Sequence, residues 1–459
     1  MANRFTRAAL AGDSDVTSFD QLHDWVRQRR AAYRFEVERI RFDQLVGWHR
    51  APSTGNLAHD TGRFFSIEGL QLRTDAHPEG GWSQPIINQP EVGVLGILAR
   101  EFNGVLHLLM QAKMEPGNVN VVQLSPTVQA TRSNYTGAHR GQAVQYLEYF
   151  IGPRRGRVLA DVLQSEQGSW FLRKRNRNMV VEVTGDVPVG GDFCWLSLGQ
   201  VQRLLREDNM VNMDARTVLS CLPFTAVDTD GDGFRGALQR SIAGWPYERH
   251  TLVELISWLT DVRARRDFAQ TPIPLNAVEH WVHEPDVIRH QDDRYFTVIA
   301  VDVRATAREV TRWTQPLFAP RSRSIIAFLV RRIRGVLHVL VHARVEAGSA
   351  SIAEFAPTVQ CDPANYTGAF AGLRPPFLDV VAGAAPERIR YDVVQSEEGG
   401  RFYHAEIRNL IVEVGDDFPL DAPDDYRWMT VRQMTELLRH SNYFNVEARG
   451  LVACLHSLW

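Results

Sequence analysis

Lysine is nearly missing from this chain of 459 residues: among its 51 lysines and arginines only Lys113 and Lys174 are lysine. Arginine carries almost all the positive charge, so a lysine inside a motif is worth weighing. Neither sign of charge is in large excess. A formal net charge of −3 gives no general attraction to nucleic acid or to an anionic membrane, and an anionic ligand has to be met by a local cluster. Cysteine is scarce as well. Cys194, Cys221, Cys361 and Cys454 form no Cys-x-x-Cys pair, which speaks against a disulfide framework or zinc site and for buried reduced thiols in a cytoplasmic protein. There is no apolar run of roughly 18 residues, the length a membrane helix needs, and residues 1–18 lack the apolar core of a signal peptide.

Several chemical signatures are also missing. Gly93 and Gly96 do not make a dinucleotide fingerprint, and no Gly-Lys-Ser/Thr phosphate loop occurs. His-Glu-x-x-His, His-x-x-Glu-His and Gly-x-Ser-x-Gly are absent, which weakens metal-hydrolase and serine-nucleophile readings. Asp228-Thr-Asp-Gly-Asp-Gly233 begins like a calcium loop, but its twelfth position is Gln239 rather than the bidentate glutamate calcium needs. No metal is expected.

What is present is a repeat. Gly104-Val-Leu-His107 returns as Gly335-Val-Leu-His338, a shift of 231 residues. The same shift carries Pro126-Thr-Val-Gln129 onto Pro357-Thr-Val-Gln360, Asn134-Tyr-Thr-Gly137 onto Asn365-Tyr-Thr-Gly368, and Gln164-Ser-Glu166 onto Gln395-Ser-Glu397. Arg177-Asn178 and Arg408-Asn409 follow in register. An ungapped repeat of polar motifs implies a duplicated module, with residues 1–225 as the first, 226–246 as linker and 247–459 as the second. Each is long enough to bury its own core, and 44% hydrophobic with 23% charged residues is ordinary globular composition.

Within each copy the pattern is strand-rich with helices at both ends. Phe19, Leu22, Trp25 and Val26 have helical spacing, twinned by Leu252, Leu255, Ile256 and Leu259. A strand is expected near residues 39–46. Asn103-Gly104 joins two apolar runs as a tight hairpin, and a further strand is expected over residues 119–124. Ser197-x-x-Gln200 and Thr430-x-x-Gln433 are capping boxes that open a closing helix. The expected architecture is α+β, a mixed sheet flanked by helices in each module.

The hairpin's second strand carries His107, Gln111, Lys113 and then Glu115 on one face, repeated as His338, His342, Arg344 and Glu346. This is either the solvated side of a sheet or a set of groups able to take up a proton and hold an anion. Gln129, Asn134, Tyr135, Gln360, Asn365 and Tyr366 supply loop donors and acceptors suited to sugar or base recognition. Gln164, Ser165, Gln395 and Ser396 read as turn chemistry or as ligand contacts. The basic run Arg173-Lys-Arg175 with Arg177, thinner in the second copy as Arg401 and Arg408, suits a diphosphate or simply a solvated strand. Trp82 and Trp313, each in a Trp-Ser/Thr-Gln-Pro motif, are core or a stacking platform.

With Trp-Ser-Gln-Pro at 82, Leu-Ser-Pro-Thr-Val-Gln at 124, Asn-Tyr-Thr at 134, Gln-Ser-Glu-Gln-Gly at 164 and their second copies, the chain resembles the NDP-hexose 2,3-dehydratases of deoxysugar biosynthesis. The resemblance extends from about residue 19 to the end. It implies two Nudix-like modules, a homodimer, a dTDP-4-keto-6-deoxyhexose substrate with one nucleotide sugar per module, no cofactor, and a 3-ketoreductase or aminotransferase downstream. The Nudix hydrolase box itself is not found, which argues against pyrophosphate hydrolysis. Within that resemblance the second copy is favoured for catalysis, with Glu397, His404 or Tyr403 as base or acid and Arg344 toward O4. The converse puts Glu166, His107 and Lys113 in those roles. Arg177, Asn178, Arg408 and Asn409 are assigned to substrate binding. A non-catalytic nucleotide-sugar binding protein and a Nudix-type pyrophosphatase are the competing readings.

Overall fold

The computed structural model describes residues 2–77, 79–131, 144–152, 156–223, 226–306 and 310–458. Among them each copy contributes a large seven-stranded sheet. In the first, the order is Arg157–Ser165, Arg175–Glu182, Gly93–Phe102, Val105–Met114 and Phe193–Ser197, with Val122–Ser125 and Val128–Ala130 paired to the two central strands. Arg175–Glu182 and Gly93–Phe102 run parallel and the remaining neighbours antiparallel. The second sheet repeats this order with Ile389–Ser396, Glu406–Glu413, Ser324–Ile333 and Val336–Val345. The expected mixed α+β architecture is the one observed.

Local chemistry explains the ends of these elements. Asn103 (φ 49°) and Gly104 (φ 78°) both take the left-handed turn conformation that a two-residue hairpin demands, as do Arg334 and Gly335. The expected capping boxes form: Ser197 Oγ accepts from Gln200 N, and Thr430 Oγ1 from Gln433 N. Two strands differ from expectation. The one near residues 39–46 is Phe35–Ile40, because Arg41 N donates to Gln44 Oε1 and turns the chain into a short 3-10 segment, Phe42–Gln44. The one expected over 119–124 begins only at Val122, because Val121 sits at φ 65°, outside strand geometry.

Leu106, Leu108, Met110 and Ala112 are buried on one face of the hairpin strand, against Leu198, Val201, Leu204, Val218 and Leu219 from the helices. At about 1.5–3 kcal/mol for each large apolar side chain taken from water, this helix–sheet layer is the main anchor of the module. The second copy repeats it with Val339, Val341, Val431, Met434 and Leu451. All four cysteines are buried free thiols.

The two copies are interlocked. Phe35–Ile40, from the first copy, pairs antiparallel with Phe296–Ala305 of the second, Val37 opposite Val303. Phe268–Ile273, from the second, pairs with Ser66–Thr74 of the first, Thr271 opposite Gln71. Each copy therefore completes the other's small five-stranded sheet, and the two small sheets share a core of Phe65, Phe171, Phe296, Phe318 and Phe402.

Residues 226–246, expected as a linker, contain the helix Gly233–Ala243. Ala237, Leu238 and Ile242 bury in the second module's core, as Phe5 and Ala8 of the helix Ala2–Leu10 do in the first. Their helical spacing is obscured in sequence by the Asp-Gly run ahead of it. In that run the carbonyls of Thr229 and Gly231 accept from Arg240 Nη1 at 2.9 and 2.8 Å, and Gln239 Oε1 accepts from Val227 N. No helix of the described residues is long and apolar enough to cross a membrane.

Candidate active site

The loop after Gln395-Ser-Glu397 leaves the second module and docks on the first. Gly117 N donates to Gly399 O at 2.7 Å, and His404 N to Gly117 O at 2.8 Å. The approach is close enough that a Cβ on Gly117 would lie 1.7 Å from Phe402 O. The mirror contact joins Gly348 to Gly168 and Arg173. A second support comes from the Trp-x-Gln motif: Trp313 Nε1 donates to Gln315 Oε1 (2.8 Å), whose Nε2 donates to Gly400 O (2.9 Å). The Gly117 contacts thus hold the second module's loop against the first, and the Trp-x-Gln motif braces that loop from its own module.

Between the first large sheet, the second small sheet and this loop lies a cavity of about 1210 Å³. Its lining includes Gln111, Lys113, Glu115, Gln129, Lys174 and Asp214 from the first module, and Trp313, Gln315, Glu398 and Arg401 from the second. Gln129 Nε2 donates to Glu115 Oε1 at 2.8 Å, and Asn212 Nδ2 to Gln129 Oε1 at 3.1 Å. Lys113 Nζ donates to Gln129 O and stands 3.7 Å from Glu115 Oε1. Arg401 lies over the Phe65 ring and donates to Gln89 Oε1.

Burial sets the protonation here. Asp214 is 3% exposed and its Oδ1 has no hydrogen-bond partner among the described residues. Loss of water, then the nearby Glu398, Glu166 and Glu115 carboxyls, push it well above the usual carboxylate range, which favours the protonated acid. Burial also raises Glu398, opposed by Arg401 and reinforced by Glu115. Beside the cavity, burial lifts Glu166 to about 7 and lowers Lys174 to about 8, each pulled back toward its charged form by the other. Buried carboxyls raised above their usual range, beside cations, are the equipment of general acid–base chemistry on an acidic C–H.

The second module lacks this set. At the positions equivalent to Lys174 and Asn176 it has Ala405 and Ile407, and the first copy's loop that reaches it has Gln167 and Trp170 where the other loop has Glu398 and Arg401. Gln360 Nε2 still donates to Glu346 Oε1 at 2.9 Å, and Arg344 stands 3.4 Å from the same carboxylate. His342, which replaces Gln111, is stacked on Tyr426 and lowered to about 3 by burial, so it stays neutral and cannot stabilise an anion by charge.

Of the residues singled out in sequence, Gln111, Lys113, Glu115, Gln129, Lys174, Trp313 and Arg401 line the cavity. Glu397 is buried outside the lining, accepting from Gln167 Nε2 and 3.8 Å from Arg216. Tyr403 and His404 stack on each other, and Tyr403 packs on Ile299, Val301 and Leu317. His107 is bound to Ser14 Oγ and Val105 O, and Glu166 accepts from Asn176 Nδ2. Gln164 and Gln395 donate to helix-end carbonyls of the opposite module, Leu438 and Leu205; Ser165 and Ser396 bond Glu354 and Asn209. Arg177 and Arg408 form bidentate pairs with Asp161 and Asp392 on their own sheets. Asn178 and Asn409 donate to carbonyls of their own strands. Trp82 is bonded to Gln84 and packs with Leu70 and Ile86. Asn365 accepts from Arg294 and Tyr295 N, and Tyr366 packs in the second module. Asn134 and Tyr135 lie outside the described residues.

Sequence reasoning missed Asp214 and Glu398 as site residues, and read Lys174 only as part of a basic run suited to a diphosphate. Glu398 adjoins a repeated motif at a position where the first copy has Gln167. Asp214 is in no motif; only the fold brings it to the cavity.

Comparison with known proteins gives a consistent picture. A sequence model of the family described as NDP-hexose 2,3-dehydratase matches twice, over residues 19–222 and 252–455. A dTDP-4-dehydro-6-deoxy-alpha-D-glucopyranose 2,3-dehydratase of Saccharopolyspora spinosa is 55% identical over 99% of this chain and 95% of its own length. Proteins of the same description from Amycolatopsis orientalis and Streptomyces violaceoruber are each 49% identical, over 99% and 96% of this chain and 94% and 98% of theirs.

Proposed function

The chain belongs to the NDP-hexose 2,3-dehydratase family, and from that premise we propose that it removes water across C2 and C3 of a dTDP-4-keto-6-deoxyhexose in the cavity of its first module. The ketone at C4 acidifies the C3 hydrogen. Glu398 takes that proton, and Lys113 holds the developing enolate oxygen, a contribution of about 2.7–4 kcal/mol by analogy with an oxyanion-hole donor. As the C4 carbonyl reforms, the electron pair moves to make the C2–C3 double bond. The C2–O bond breaks, and neutral Asp214 gives its proton to the departing hydroxyl. The resulting enol tautomerises to the 3,4-diketo-2,6-dideoxy sugar, with a proton added at C2. Glu398, Lys113 and Asp214 serve the proton abstraction, the enolate and the departing hydroxyl in turn, and the scheme uses no redox cofactor and no metal. Trp313 offers a face for the base.

The observation that carries this reading is the asymmetry between copies: Lys113, Asp214 and Glu398 meet at one cavity, while the equivalent positions are Arg344 and Glu447 in the second module and Gln167 in the first copy's crossing loop. It favours the first module, as the converse of the sequence assignment does, but keeps only Lys113 of that set, with Glu398 and Asp214 in place of Glu166 and His107. Each module is read as Nudix-like in fold, and the second, with Gln360 and Glu346 still paired, as a further nucleotide-sugar holder. Incubating the protein with dTDP-4-keto-6-deoxyglucose and a ketoreductase that traps the diketone tests the proposal. Loss of the C2 oxygen supports it; binding without loss makes the chain a nucleotide-sugar binding protein, and Mg²⁺-dependent release of sugar phosphate makes it a pyrophosphatase.

A further inference from the structure

Glu398 and Asp214 are brought together from different modules, so something has to set their spacing. Asp214 sits on the helix Met213–Ser220 of the first module, and Arg216 is two residues along the same helix. Arg216 is 2% exposed. Its Nη2 donates to Ser396 O at 2.9 Å and stands 3.8 Å from Glu397 Oε1. Its Nη1 donates to Val211 O at 2.7 Å and reaches Gln395 Oε1 at 3.5 Å. One planar fork therefore ties the acid-bearing helix to the residues immediately before Glu398. Neither Arg216 nor its partners Gln395, Ser396 and Glu397 line the cavity.

Two further first-module side chains grip the same point. Gln123 Nε2 donates to Ser396 Oγ at 2.8 Å, and Ser396 Oγ donates to Asn209 Oδ1 at 2.7 Å. The mirror clamp, Arg449 on Ser165 O with Glu354 accepting from Ser165 Oγ, holds the first copy's loop against the second module. There the residue following the motif's glutamate is Gln167. The clamp is thus built twice, and in one of its two places it delivers a carboxylate into a cavity.

We propose that Arg216 is a positioning residue for the dehydration, fixing the crossing loop of the second module so that Glu398 stands opposite Asp214 and Lys113. The inference rests on the reading of the first-module cavity as the reacting site. A guanidinium is needed because its two nitrogens address two carbonyls at once, which an ammonium cannot do. Loosening the clamp moves a reacting carboxylate without removing any group that touches the sugar. That kind of displacement lowers kcat far more than it weakens ground-state binding.

The test is Arg216→Lys in the full chain, assayed well below its melting temperature. Its kcat should fall about 100-fold while KM stays within about threefold, and the pH–rate limb belonging to Glu398 should move. Gln123→Met, which removes a lesser support, should lower kcat in the same direction by about tenfold and serves if Arg216→Lys does not fold. A lowered melting temperature with kcat and pH profile within about twofold of wild type in the folded variants would make Arg216 a purely structural residue and overturn the inference. Failure of the underlying reading looks different: Glu398→Gln would then turn over substrate normally.

Discussion

Replacing Asp214 with asparagine separates the two halves of the reaction. The side chain is 3% exposed and its Oδ1 is unpartnered among the described residues, so the amide fits the space without new contacts and costs about 1–3 kcal/mol of stability for a buried unpaired group. It cannot give up a proton to the leaving hydroxyl. General acids contribute about 10²–10⁴ in rate, and at the middle of that range water loss slows about 1,000-fold, or about 4 kcal/mol of barrier. Removal of the C3 hydrogen uses Glu398 and Lys113, which remain. In D₂O, NMR of the recovered nucleotide sugar should show deuterium entering C3 within about tenfold of the wild-type rate, while mass spectrometry shows the sugar still carrying its C2 oxygen. Glu398→Gln should lose both exchange and water loss. Parallel loss of exchange and elimination in Asp214→Asn, or retention of both, would refute the assignment of Asp214 to the second step.

Other consequences follow from the same geometry. Gly117→Ala places a Cβ 1.7 Å from Phe402 O, a clash with backbone that should cost about 3 kcal/mol in urea denaturation and lower kcat by displacing the crossing loop. Trp313→Ala should raise KM for the nucleotide sugar about tenfold by removing a face, and should also lower kcat, since it frees Gln315 from its bond to Trp313 beside the loop at Gly400. Glu166 keeps its proton in the fold up to about pH 7 against 4.5 as the ordinary value; the folded state binds the extra proton, so this group's stabilisation is present below about pH 4.5 and is lost as pH rises through 7. Urea denaturation of Glu166→Gln against wild type between pH 5 and 8 should show the wild type losing about 2.5 kcal/mol more over that range.

The duplication, the hairpins and the capping boxes were legible because each depends on short-range chemistry: a left-handed turn at Asn103-Gly104, a serine and a glutamine three residues apart at Ser197. The two-residue alternation of Val105–Met114 placed Gln111 and Lys113 on the face that lines the cavity, although His107 and Leu109 on that face are buried away from it, and Lys113 stood out against an arginine background. Long-range arrangement was not legible. Nothing local in Phe35–Ile40 says that its partner strand lies some 260 residues onward at Phe296–Ala305, and without that exchange Trp313 and Glu398 belong, by position, to the second module alone. The Gln-Ser-Glu motifs looked like ligand contacts because they are polar and repeated. Their polarity instead satisfies a buried junction between modules, where Gln164, Ser165, Gln395 and Ser396 bond across the interface.

The most direct measurement compares turnover by Lys113→Met with that by Arg344→Met, equivalent positions on the two large sheets. Catalysis in the first-module cavity requires kcat to fall about 100- to 1,000-fold in Lys113→Met and to stay within about threefold of wild type in folded Arg344→Met. Near-normal turnover by Lys113→Met together with an inactive but folded Arg344→Met would put the reaction in the other module and contradict the assignment.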